Sequence, residues 1–172
     1  MRRSATSNSG PLIHLTQAGQ LPLLRQLYDA ILIPPAVKAE VVDRGLEKGA
    51  ADAIQIEEAI IEGWIKIQEI EVPPEFTDTA ETAGLDDAEA AVILLAKQTG
   101  TPALLDDEAA RTFARALGLK VRGSIGILLQ AHNQGLIKQA DALDGLERLS
   151  RVMYLNVDTY RLARKIIEQK TR

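Results

Sequence analysis

Thr101-Pro102-Ala103-Leu104-Leu105-Asp106-Asp107-Glu108 is the stretch whose reading decides the fold. A short apolar run reads as a buried strand, two acids follow it at once, and a helix starts near Glu108 and is stopped by Gly118. In an open α/β sheet, ligands gather outside the carboxyl ends of the strands, so this stretch also locates a site. Just upstream, Asp86 or Asp87 caps a helix running to about Gln98, with Ala91, Val92, Leu95 and Ala96 facing the core and Gly100 closing it. Just downstream, 119–121 reads as a further short strand, and Gly123-Ser124 opens another helix.

The same alternation continues toward both ends. Leu23, Leu24 and Leu27 fall on one face of a helix over 21–29, 30–33 is a buried strand, and Pro34-Pro35 ends it. Proline is tolerated in a first helical turn, so 36–43 is expected to be a short helix carrying Glu40. Residues 49–62 read as a helix, 64–70 as a half-exposed strand after Gly63, and the acidic, proline-bearing 72–83 as a loop or a loosely attached helical turn. A helix over 141–149, an edge strand over 151–156 and a basic last helix over about 158–170, read as a C-terminal extension, complete the chain. Successive βα units of this kind predict an α/β fold with a central, mostly parallel sheet. At 172 residues they fit one domain spanning 1–172.

Composition agrees. Hydrophobic residues make up 46% and aromatic ones 3%, which suits helices and buried parallel strands better than an aromatic-rich β-sandwich. The absence of cysteine excludes disulfides, thiolate zinc sites and cysteine nucleophiles. No apolar run is long enough for a membrane span, and Met1-Arg2-Arg3 leads into Ser-Ala-Thr-Ser, so no membrane contact and a cytoplasmic location are expected. The net charge of −4 hides a division: residues 1–108 carry 8 Lys or Arg against 19 Asp or Glu, and 109–172 carry 12 against 5. That division fits an acidic metal pocket beside a basic, phosphate-facing flank.

Glu89 stands one turn into its helix, eighteen residues before Asp107, and Glu40 stands early in another helix after a strand. Returning through a strand brings the first two together, and the third can join them. Clustered carboxylates without cysteine fit a hard divalent cation such as Mg²⁺ or Mn²⁺. Each acid also has an ordinary use: Asp86, Asp87 and Asp107 as helix caps, Glu40 and Glu89 as first-turn acids favoured by the helix dipole. His14, His132 and Trp64 read as packing or surface residues. No G-x-G-x-x-G, Walker A or aspartate-x-aspartate pair after a first strand points to another α/β enzyme.

Five segments resemble one family in its order and approximate spacing: Ser7-Asn8-Ser9-Gly10-Pro11-Leu12-Ile13, Ile33-Pro34-Pro35-Ala36-Val37-Lys38-Ala39-Glu40-Val41, Gly84-Leu85-Asp86-Asp87-Ala88-Glu89-Ala90-Ala91, Leu104-Leu105-Asp106-Asp107-Glu108-Ala109-Ala110-Arg111, and Val121-Arg122-Gly123-Ser124-Ile125-Gly126-Ile127-Leu128. Together they resemble the PIN-domain superfamily, especially small prokaryotic VapC-like proteins. The resemblance implies a three-layer αβα fold and a metal-dependent endoribonuclease of single-stranded RNA, often the toxin of a toxin–antitoxin pair and often a homodimer. Asn8 takes the place of the first-strand aspartate, and Glu40, Glu89 and Asp107 match the other three acids. Asp106 and Asp87 are the adjacent candidate ligands. Ser124 matches a small hydroxyl residue near the family's site, and Gly123 at a helix N-terminus could offer N–H groups to a phosphate. Arg111 and Arg122, with Arg115, could line the phosphate path. Two departures bear on activity: an amide at position 8 lacks a carboxylate's charge and basicity, and Gly10 replaces a serine or threonine. A weakened PIN fold that binds RNA or a protein partner is therefore the alternative.

Overall fold

A computed structural model of the chain describes residues 3–169. In chain order, strand β1 (Ser4–Ser7) leads to helices α1 (Ser9–Gln17) and α2 (Leu21–Leu27), strand β2 (Ala30–Ile33), and helix α3 (Pro35–Lys38). A π-helical turn (Ala39–Asp43), α4 (Arg44–Glu47), α5 (Ala51–Glu62), β3 (Ile65–Ile67), α6 (Pro74–Thr82), α7 (Asp87–Thr99) and β4 (Ala103–Leu104) follow. The chain then forms α8 (Glu108–Ala116), β5 (Val121–Arg122), α9 (Ser124–Asn133), α10 (Gln139–Val152) and α11 (Val157–Gln169).

The five strands form one sheet in the order β3-β2-β1-β4-β5, every neighbouring pair parallel, and helices flank it. The expected α/β class holds, with the sheet wholly parallel. Because crossover helices cover such a sheet, its strands are buried, as the fully buried Ile31, Ile33, Ala103 and Leu104 are.

Strand β1 forms just before Asn8, where the resemblance implies a first strand. Arg3-Ser4-Ala5-Thr6 has poor strand propensity, yet β1 is the central strand and Ala5, Thr6 and Ser7 are buried. Position in the ladder overrides propensity, since β2 and β4 pair with it on either side. Its hydroxyls are satisfied locally: Thr6 Oγ1 lies 2.7 Å from Thr101 Oγ1, and Ser7 Oγ donates to the Asn8 carbonyl at 2.9 Å.

Two further segments differ from their expected form. Residues 74–82, read as a loop or a loosely attached turn, form helix α6 with a proline in its first turn. Tertiary packing holds it, because Ala80 is buried and the Phe76 ring meets Phe113 edge-to-face at 5.9 Å. Phe76→Ala is expected to lower stability by about 1–2 kcal/mol in urea unfolding, with α6 amides losing hydrogen-exchange protection first. Residues 151–156 are no edge strand: α10 continues through Val152, and 153–156 form an irregular connection to α11. Helix α11 packs on α9 and α10, burying Ala163 and Ile167. The last residue of the expected helix, Lys170, lies outside the described residues.

Among the described residues, no helix is long and apolar enough to cross a membrane. Trp64 is buried, as expected, with the Arg25 guanidinium 5.8 Å from its ring centroid. His132 is also a packing residue, its ring nitrogens facing the Ile137 and Ile167 carbonyls.

Candidate active site

The carboxyl ends of β1, β4 and β5 open into one large groove, about 970 Å³. Asn8, Glu89, Asp106 and Asp107 line it together with Arg111, Arg122 and Met153 to Asn156. Acid and base, segregated in sequence, meet here in space.

Asn8 directly follows β1 and precedes α1 in extended backbone (φ −81°, ψ 174°). An asparagine there normally caps the helix with its side-chain oxygen, but this side chain makes no such bond. Its Oδ1 is instead buried without a hydrogen-bond partner. A buried acceptor left open costs about 1–3 kcal/mol, so it asks for a ligand.

Glu89 has a structural job as well. Asp86 accepts from the Glu89 N–H at 2.7 Å, and Glu89 Oε2 accepts from the Asp86 N–H at 2.9 Å, a reciprocal capping box for α7. Burial raises the Glu89 pKa above its ordinary value, and the nearby charges of Asp86, Asp107 and Glu40 push it further, while the bond from the Asp86 N–H opposes them. Glu89 thus senses both of the other expected acids. Asp107 is the N-cap of α8, its Oδ2 accepting from the Ala110 N–H at 3.0 Å, and it is otherwise exposed.

Glu40 sits on the π-helical turn, a distortion that frequently occurs at functional sites. It is not a lining residue of the groove, but its Oε2 accepts a hydrogen bond from Ser9 Oγ, next to Asn8. Each of these three acids spends one oxygen on the protein and leaves the other with no hydrogen-bond partner among the described residues. Among the described residues no three His, Asp or Glu side chains form a ready-made metal cluster. The donors nonetheless fit a hard cation chemically: three half-committed carboxylates and the open Asn8 oxygen.

The adjacent candidates fare differently. Asp87 is exposed at the start of α7 and lies outside the groove lining. Asp106 is committed on both oxygens: Oδ1 accepts from the Ser124 N–H at 2.6 Å, and Oδ2 from Ser124 Oγ at 2.6 Å while lying 2.7 Å from His14 Nδ1. That clamp also decides Ser124, whose hydroxyl is fully buried against Asp106 and absent from the lining. Gly123, not Ser124, is the N-cap of α9, and the anion at this N-terminus is the protein's own carboxylate. A Cβ at Gly123 would stand 2.8 Å from Asp106 Oδ1, so only glycine lets the clamp close.

Sequence reasoning missed His14, which stands in the groove wall beside Asp106. It lies two turns into α1 with no motif around it, so only the fold reveals it. Arg111 and Arg122 do line the groove, and among the described residues neither makes an ion pair. Arg111 Nε is buried without a partner. Arg115 is exposed and outside the lining.

No curated protein matches the sequence. Among solved structures, a domain of a functionally unknown protein from Methanocaldococcus jannaschii DSM 2661 is similar at 22% identity and a TM-score of 0.47, over 70% of this chain and 90% of that one. A crystal structure of a protein from Pyrobaculum aerophilum is similar at 17% identity and a TM-score of 0.43, over 69% of this chain and 98% of that one. The PIN-domain family matches residues 4–169, nearly the whole chain, and the protein therefore belongs to the PIN domains.

Proposed function

We propose that this chain is a metal-dependent endoribonuclease that hydrolyses phosphodiester bonds of single-stranded RNA in the groove at the carboxyl edge of its sheet. The observation that carries the reading is the buried, unpartnered Asn8 Oδ1 at the end of the central strand, in a groove it shares with Glu89 and Asp107. Asn8, Glu89, Asp107 and Glu40 would hold Mg²⁺ or Mn²⁺, which when bound neutralises phosphate charge and activates water. Arg111 and Arg122 hold the substrate phosphates: both line the groove, and among the described residues neither is paired with a carboxylate. The Asp106 clamp does not touch substrate; it fixes α9 against the end of β4 and keeps the wall in place.

A second reading, an RNA-binding module with a weakened site, is favoured by the neutral amide at position 8 and by the lack of a preassembled acidic cluster among the described residues. One experiment separates the two. Purified protein is incubated with end-labelled single-stranded RNA, with and without Mn²⁺, beside Asn8→Asp. The nuclease reading expects Mn²⁺-dependent cleavage by the wild type and about tenfold or more by Asn8→Asp, because the added carboxylate supplies charge to the cation. Retained binding without cleavage by either protein assigns the chain to the second reading.

The finer reading, a toxin held by an antitoxin and acting as a homodimer, rests on the sequence resemblance, and its cytoplasmic location on the lack of cysteine and of an apolar signal core. Its support would be growth arrest on expression, relieved by a neighbouring small helical protein. We read residues 1–172 as a single domain, because α11 packs into the same core as α9 and α10.

A further inference from the structure

We infer that Tyr154 is a stacking platform for an unpaired base of the RNA substrate, in the wall of the groove that the carboxylates also line. The inference rests on the nuclease reading above and adds a specificity-determining residue to it. Tyr154 is 90% exposed, although most aromatic rings are driven into the core. It also lines the same groove as Asn8, Glu89, Asp107, Arg111 and Arg122.

Its exposure is built rather than incidental. Residues 153–156 connect α10 to α11, and the side chains alternate: Met153 and Leu155 pack against the core while Tyr154 between them stands in solvent. The segment is anchored at both ends. The Met153 N–H donates to the Leu149 carbonyl at the end of α10, and Asn156 Oδ1 accepts from the Thr159 N–H at 2.8 Å at the start of α11. A ring held out on an anchored segment loses little conformational freedom when a base stacks on it.

The neighbouring charges select the ligand. Arg122 and Arg111 line the same groove and supply positive charge for a phosphate backbone. An aromatic face beside a basic track is how single strands are held without sequence readout, since every base has a π-face. A duplex buries its base faces in the stack and cannot use such a ring. Trp64, the other aromatic with suitable chemistry, is buried under Arg25 and not part of the groove.

The test uses the full chain in EDTA, so that binding is read without cleavage. Fluorescence anisotropy compares a short labelled single-stranded RNA with the same strand carrying abasic riboses. The wild type is expected to bind the base-bearing strand about tenfold more tightly, Tyr154→Ala to lose that preference, and Tyr154→Trp to keep it. Arg122→Ala is expected to weaken both strands alike and to flatten the salt dependence. Thermal melts of each variant should match the wild type, because the ring makes no core contact. Tyr154→Ala binding the base-bearing strand as the wild type does overturns the inference while leaving the nuclease reading intact. A wild type that binds neither strand overturns the inference, and the nuclease reading falls with it only if Mn²⁺-dependent cleavage is also absent. A Tyr154→Ala variant that binds RNA normally but converts a dimer to a monomer in sedimentation assigns the ring to a protein contact instead.

Discussion

Glu89→Gln is expected to abolish cleavage and, at neutral pH, to make the protein more stable. The loss of activity should be on the order of 100-fold or greater, because a neutral amide replaces a groove-lining carboxylate that is to hold the cation. The gain in stability follows from the raised pKa of Glu89, caused first by burial and then by the charges of Asp86, Asp107 and Glu40. A carboxyl whose folded-state pKa lies above its unfolded value binds more protons when folded between those two values. Stability therefore falls as pH rises through that window, and the cost is fully present above it. Glutamine removes the cost at pH 7 yet still offers an oxygen to the Asp86 N–H, so the capping box survives. Because Glu89 is half-exposed, solvent screens the effect, and the rise in melting temperature should be on the order of a degree or two. Thermal melts should show the difference at pH 7 and lose it toward pH 4. Added Mn²⁺ should raise the melting temperature of the wild type more than that of the variant, since only a ligand that binds the folded state stabilises it. A variant that cleaves like the wild type would remove Glu89 from the site.

Asp106→Ala is expected to cost about 3 kcal/mol of stability and most of the binding groove. The carboxylate is 8% exposed and takes hydrogen bonds from the Ser124 N–H and Oγ, with His14 Nδ1 at 2.7 Å. Removing it leaves the buried Ser124 hydroxyl and the first N–H of α9 without their acceptor, each a charge-assisted bond lost. It also removes the anion that offsets the positive end of that helix. Asp106→Asn, which keeps one acceptor oxygen for the Ser124 N–H, should lose roughly half as much. Urea unfolding measures both, and a shift of under about 1 kcal/mol for the alanine variant would show that the clamp is dispensable. Asp106 and Asp107 are neighbours in sequence with opposite assignments: one is locked into the scaffold, and the other faces solvent at the groove.

That division was not legible in the chain itself. Two consecutive acids after an apolar run mark a strand end facing a site, but which one turns inward depends on the approach of Gly123 and α9 from residues far along the sequence. The order of βα units, the strand over 30–33, the Asp86 cap and the helix ends at Gly63 and Gly100 were readable because local signals carry them: apolar period, capping side chains and glycine in the left-handed region. Strand β1 was not, since Ser4-Ala5-Thr6-Ser7 has little strand propensity and owes its place to neighbours on both sides. Nor was α6, whose helix rests on the meeting of Phe76 and Phe113. The segment over 151–156 misled in the other direction: read as an edge strand, it ends a helix, anchors a connection and displays Tyr154 instead of extending the sheet.

The sequence by itself determined the fold class and the kind of side-chain donors available, because hydrophobic period, helix caps and the lack of cysteine are local properties of the chain. It placed Glu40, Glu89, Asp107 and Asn8 in one neighbourhood through the resemblance of the segments around them. Only the tertiary structure decided how each is used: Asn8 Oδ1 left open, Glu89 half-spent on a capping box, Asp106 withdrawn into a clamp, His14 and Tyr154 brought into the groove. The physical reason is that a side chain's partners come from whatever the crossovers of a parallel sheet bring beside it, and those contacts span distances in sequence that no local pattern encodes.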